Sequence, residues 1–238
     1  MDFNDEPMVR LRAMVRAAHE DFSQTMAFHE SWLPMLFDED LRARMGVSLA
    51  TNTFGFIRVA LRREVILGLM RVWDNRSDSI KIEFIAARLR EAAVIEAIAT
   101  RGGTRGDTVV VDAIKRELMA GRDKTLAIID KYSRGGQKEA VLEGVRALRN
   151  RQLAHRHTGL HPDVVRPPDT SDKEVDELYA DTLELVPLLL HVVLATAYDP
   201  HETAEVFQRY AEYFWAPVRG ERTEGHPNYR PLPDLPGV

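Results

Sequence analysis

The feature that most restricts this chain is the spacing of its apolar residues, which recur at every third or fourth position and almost nowhere at every second. From Pro7 to His29, Met8, Leu11, Val15, Ala18, Phe22 and Met26 form one ladder, with Arg10, Arg12, Arg16, Glu20 and Asp21 elsewhere on the wheel. An α-helix repeats about every 3.6 residues and a strand every two, so the spacing predicts a long amphipathic helix. A second helix is expected from Ser48 to Asp74, striped by Phe54, Ile57, Leu61, Val65, Leu69 and Val72. A third starts near Ser79 or Ile80 and carries Ile82, Ile85, Ala86, Leu89, Val94 and Ile98 inward. Val109 to Tyr132 resumes the period, with Gly121 as a weak point or kink.

Punctuation separates these segments. Pro34, amid Trp32, Leu33, Met35, Leu36 and Phe37, should end the first helix at a hydrophobic corner, with a short helix from Asp38 to Arg44 before Gly46. Thr100 to Asp107 holds three glycines but lacks both the P-loop order and the dinucleotide fingerprint, so it reads as a loop between helices. Ser133-Arg134-Gly135-Gly136 is a break, and another helix follows from Gln137 to His155. After a loop from Gly159 to Thr170, Ser171-Asp172-Lys173-Glu174 forms a capping box that opens a helix to about Tyr198, bent at Pro187. Asp199-Pro200 opens a last helix to about Trp215. The expectation is an all-α bundle of about six or seven helices: one domain over 1–216, with the N-terminal helix 7–30 packed on it, and a Pro-rich extended tail over 217–238 that is ordered only where a neighbour holds it.

Composition narrows the chemistry. Cysteine is absent, which removes disulfides, thiolate metal sites and cysteine nucleophiles and fits a reducing compartment. Met1 to Pro7 is acidic where a secretory signal needs basic residues, and the apolar run from Leu185 to Ala197 is shorter than the roughly 20 residues a membrane span requires. A cytoplasmic location with no membrane partner is expected. The formal net charge of −5 argues against non-specific coating of nucleic acid, yet leaves room for a local basic cleft.

One stretch concentrates capable side chains: Ala147-Leu148-Arg149-Asn150-Arg151-Gln152-Leu153-Ala154-His155-Arg156-His157. Val141, Val145 and Leu148 give its helix an apolar side, and Arg146, Arg149 and Asn150 a charged flank. This stretch resembles the motif of the HEPN superfamily, in which an arginine, usually followed by a polar residue, precedes a histidine by four to six residues near a helix end. The phrase Leu148-Arg149-Asn150 through Leu153-Ala154-His155 is similar to the abortive-infection branch, as is Val72-Trp73-Asp74 followed by Ser77 and Ser79. The likeness covers roughly residues 48 to 198.

The resemblance implies a metal-independent endoribonuclease of the toxin type, in bacterial phage defence or a toxin–antitoxin pair, with RNA as substrate and no cofactor. His155 would move protons, since imidazole exists in both forms near neutrality. Arg149 would grip the phosphate with its planar fork, and Asn150 would orient either group. Arg146, Arg151, Arg156 and His157 stand beside them as candidate substrate-binding residues. In a straight helix residues six apart are turned by about 240°, so the helix must end between Arg149 and His155, or a second chain must contribute. The family's two-fold dimers imply the latter in part, with both motifs lining one cleft. An antitoxin protein is a further implied partner, although the tyrosine that many such toxins carry two places after the histidine is His157 here.

Three other readings compete. Arg149, Arg151 and Arg156 could form surface ion pairs while His155 caps a helix. His155, His157 and His161 could hold a metal, although the spacing suits a strand better than a helix. Trp73-Asp74 reads either as a core aromatic beside a capping carboxylate or as part of the site. The functional alternative from another class is a non-catalytic helical module that binds a nucleotide or a protein.

Overall fold

A computed structural model describes residues 5–74, 80–102, 108–150 and 171–229. Among these residues the chain forms nine helices and no strand: α1 (Glu6–Phe37), α2 (Glu39–Met45), α3 (Ala50–Val72), α4 (Ile82–Arg90), α5 (Ala92–Gly102), α6 (Thr108–Tyr132), α7 (Glu139–Leu148), α8 (Asp172–Leu194) and α9 (Pro200–Trp215). The all-α class is as expected, whereas the count of six or seven is too low. The helix expected from Ile80 through Ile98 is two, because Glu91 adopts an extended backbone (φ −78°, ψ 116°) between α4 and α5. No glycine or proline marks that break. It lets Ile85 and Leu89 of α4 and Val94 and Ile98 of α5 turn their apolar sides to a common core.

Pro34 does not end α1, which continues to Phe37. The ring removes one donor only three residues before the end, so few bonds are forfeited, and Trp32 and Met35 on either side are fully buried.

The chain divides into two compact units, Met1–Gln24 with Ile66–Pro200 and Thr25–Val65 with His201–Val238. In the first, α6 packs along α8 and α5 and also touches α4 and α7, while α7 packs on α8. Gly121 lets α6 approach α8 closely, since an added Cβ would stand 2.8 Å from Val192 Cγ2. Its role is therefore contact, with α6 unbroken across it, and not the kink expected. Helix α8 begins at the capping box, the Ser171 oxygen accepting from the Glu174 N–H and the Glu174 carboxylate accepting from the Ser171 N–H. It ends at Leu194, before the expected Tyr198, because Ala195 takes a left-handed conformation (φ 50°) and closes the last turn on the Leu190 and His191 carbonyls.

The second unit has a core of Met35, Leu41, Met45, Ala211 and Trp215, with Phe54, Leu61 and Val218 packed against it. Asp38 caps α2 by accepting from the Leu41 N–H at 2.9 Å. Residues 217–229 are held by the end of α2 and the start of α3: the Gly220 N–H and the Thr223 hydroxyl both donate to the Arg44 carbonyl, and the Glu221 carboxylate accepts from the Leu49 and Ala50 N–H groups. Those backbone bonds hold the Glu221 carboxyl below its ordinary pKa. Among the described residues no helix is long and apolar enough to cross a membrane.

Candidate functional site at the end of α7

The site is built from the C-terminal ends of α3 and α7 and the middle of α8. Leu142, Val145 and Leu148 bury one side of α7, which leaves Arg146 and Arg149 at its flank. The buried register is Leu142 rather than the Val141 of the sequence reading. The α-helix spans Glu139–Leu148, Arg149 keeps helical angles (φ −52°, ψ −51°), Arg149 and Asn150 continue in π-helical geometry, and the expected end at His155 lies outside the described residues.

Two guanidinium groups reach from α7 to the end of α3. Arg146 Nη2 donates to the Trp73 carbonyl at 2.9 Å, and its Nη1 pairs with Glu143 at 2.6 Å. Arg149 Nη1 donates to Asp74 Oδ2 at 2.9 Å, and its Nε donates to Asn150 Oδ1 at 3.0 Å. The side chains of Arg149 and Asp74 are only 18% and 15% exposed, so this is a half-buried pair and not a solvated surface one. Asp74 thus pairs with the motif's arginine, while Trp73 is a core aromatic as one of the two readings has it.

Trp73 itself is fixed from α8 and α6. Its Nε1 donates to Thr182 Oγ1 at 2.8 Å, Thr182 donates in turn to the Leu178 carbonyl at 2.6 Å, and the ring lies 4.7 Å from that of Tyr132. Next to Thr182, the buried Asp181 accepts from Lys131 Nζ at 2.8 Å, Lys138 Nζ at 2.7 Å and the Tyr132 hydroxyl at 2.6 Å. Burial pushes the Asp181 carboxyl up, but the hydrogen bonds from Lys131, Lys138 and Tyr132 outweigh it and hold the pKa below the ordinary value. The Tyr132 hydroxyl is pushed far up by burial and then by the Asp181 carboxylate. Lys138 loses from burial, yet its bonds to Asp181 and Glu177 raise it overall.

This network escaped the sequence reading. A signal existed, because Asp181 interrupts the apolar spacing of Leu178, Thr182 and Leu185 on α8, where a carboxylate is buried only with partners. A cavity of about 240 Å³ opens beside it, walled by Trp73, Ile82, Tyr132, Leu142 and Arg146.

The structure brings Arg146, Arg149 and Asn150 together with Asp74. Arg151, His155, Arg156 and His157 lie outside the described residues, as does His161 of the competing metal reading. Among the described residues no three of His, Asp and Glu converge as a metal site would require.

Comparison with known sequences gives one family. The HEPN_AbiU2 model, described as AbiU2, matches residues 8–214. Searches of curated proteins and of solved structures return no match.

Proposed function

We propose, for a chain that belongs to the AbiU2 family of HEPN proteins, that the end of α7 cleaves RNA without a metal ion. The reaction is internal transesterification. The ribose 2′-oxygen bonds to phosphorus as it loses its proton, the bond from phosphorus to the 5′-oxygen breaks, and that oxygen gains a proton. A 2′,3′-cyclic phosphate and a 5′-hydroxyl result. His155 handles the protons, and Arg149 binds the non-bridging oxygens as negative charge gathers there. Asn150 holds the guanidinium or the phosphate, and Arg146, Arg151, Arg156 and His157 line the path of the strand. Two copies of the chain, each supplying one motif, would form the cleft, and an antitoxin protein would restrain it in a phage-defence or toxin–antitoxin setting.

The observation that supports this reading most is the fixing of Arg149 by Asp74 and Asn150 at 2.9 and 3.0 Å. Only one edge of the fork is used in reaching Asp74, and a guanidinium held by a carboxylate is presented in one orientation. The same pairing also supports a second reading, a non-catalytic module that binds a nucleotide or a protein, because an arginine held by Asp74 ties the end of α7 to the end of α3 whether or not RNA is cut.

Incubation with transfer and messenger RNA in EDTA separates the two. The nuclease reading expects cleavage by the parent chain and its loss in both Arg149→Ala and His155→Ala. Binding of a nucleotide or of RNA with no cleavage under any activating condition would favour the module.

A further inference from the structure

We infer that the cavity beside Asp74, between α1 and the end of α3, takes a base of the RNA strand, guanine before the others. The inference rests on the nuclease reading above, because Asp74 is the residue that holds Arg149. Arg10, Met14 and Asp21 of α1 line a cavity of about 480 Å³ together with Arg71, Asp74 and Ile80. That volume falls within the roughly 300–1,000 Å³ usual for small-molecule sites. Asp74 belongs both to its wall and to the Arg149 pair, so an occupant would lie next to the motif's arginine.

The lining decides what kind of group fits. Asp21 and Asp74 contribute two carboxylates, which repel a phosphate, so the backbone of the strand is a poor occupant. Met14 and Ile80 supply hydrocarbon, and Arg10 and Arg71 supply planar donors, a mixture that suits a flat, uncharged ring with polar edges. Arg71 Nε pairs with Asp21 Oδ1 at 3.0 Å, much as Arg149 is held by Asp74, so the fork is oriented while its terminal nitrogens can still donate. The Arg10 guanidinium lies 4.9 Å from the centroid of the Phe84 ring, and the opposite face of its plane can stack on a base. Guanine has two adjacent acceptors, O6 and N7, that match an arginine fork. Adenine sets N7 beside a donor, and uracil sets a donor between its acceptors. Cytosine pairs two acceptors, but its single ring offers less area to stack.

The rival use of the Arg71–Asp21 pair is as a tie between α3 and α1. Their side chains are 41% and 30% exposed, and a pair so exposed adds little to stability. A tie alone predicts no preference among bases.

The test measures binding of the full chain to 2′-O-methylated uridine pentamers that carry a central guanine, adenine, cytosine or uracil. Methylation removes the attacking hydroxyl, so binding is read whether or not the chain cleaves RNA. The guanine pentamer should bind at least about fivefold tighter than the all-uridine one, and Arg71→Gln should bring that ratio close to one. Arg10→Gln, which leaves the Arg71–Asp21 pair in place, should weaken the guanine and adenine pentamers together, and it carries the comparison if Arg71→Gln does not fold. Cuts in transfer RNA should fall beside guanines for the parent and scatter for Arg71→Gln. A guanine preference without cleavage keeps the pocket and removes the nuclease reading, whereas cleavage with no base preference does the reverse. Equal binding of the four pentamers, binding of none, tighter binding of another base, or an Arg71→Gln chain that melts lower yet keeps the preference overturns the inference.

Discussion

The two units of the chain differ in how much charge they lock inside, although the second also buries the His29–Glu30 pair. The unit that holds α4 to α8 draws charge inward: Asp181 is 8% exposed among two lysines and a tyrosine, and Arg149 and Asp74 are half-buried together. The unit that holds α2 and α9 turns hydrocarbon outward, with Val206, Tyr210, Tyr213 and Phe214 of α9 and Phe56 and Val59 of α3 all well exposed. A buried charge is tolerated only where every lone pair is met, so the first unit must keep a fixed geometry. The second is held by a small core around Trp215 and by backbone bonds from residues 217–229. Precision belongs to the first unit, where the motif sits.

Removing Asp181 should break this contrast most severely. Asp181→Ala strands the Tyr132 hydroxyl without its acceptor and leaves Lys138 with Glu177 alone, and loss of one partner from a buried pair costs about 3–5 kcal/mol. Because Lys131 is 35% exposed, the lower end of that range is expected in urea unfolding. Gly121→Ala should come next. The methyl would meet Val192 at 2.8 Å and force α6 from α8, a strain of about 1–3 kcal/mol, offset by up to about 1 kcal/mol of helix propensity. In the second unit, Asp38→Ala removes a helix cap and should cost about 1 kcal/mol. Tyr213→Ala, at a residue 79% exposed, should change stability by less than about 0.5 kcal/mol.

Acidity gives the contrast a second axis. The folded-state pKa of Asp181 lies below its unfolded value, so its contribution is present above about pH 4 and is lost as pH falls through the folded value. Tyr132 and Lys138 have raised values, so their contributions are full below about pH 10 and decline above it. The parent should lose more stability than Asp181→Asn between pH 5 and pH 2, as measured by unfolding at each pH. Parallel losses would mean that another carboxylate governs acid unfolding.

Much of the fold was legible in local signals. Helices α1, α3, α6, α8 and α9 follow from apolar spacing, and the starts of α2, α8 and α9 from Asp38, Ser171 and Pro200. What local signals could not carry was tertiary. Glu91 breaks a helix with no breaker residue, and Pro34 fails to break one because its neighbours are buried. Gly121 looked like a weakness until α8 lay against it. At the site, Arg149 and Asn150 were visible as a motif, but Asp74 lies 75 residues away and its pairing depends on where α3 ends. Asp181 was readable only as an interruption, since its partners come from α6 and from the start of α7.

The most direct test is a double-mutant cycle on RNA cleavage, measured under single turnover with the parent, Asp74→Asn, Arg149→Ala and the pair. If Asp74 acts by orienting Arg149, Arg149→Ala should slow cleavage by about 10²–10³, Asp74→Asn by less, and the double variant no further than Arg149→Ala alone. Full activity in Arg149→Ala, or losses that multiply in the double variant, would contradict it.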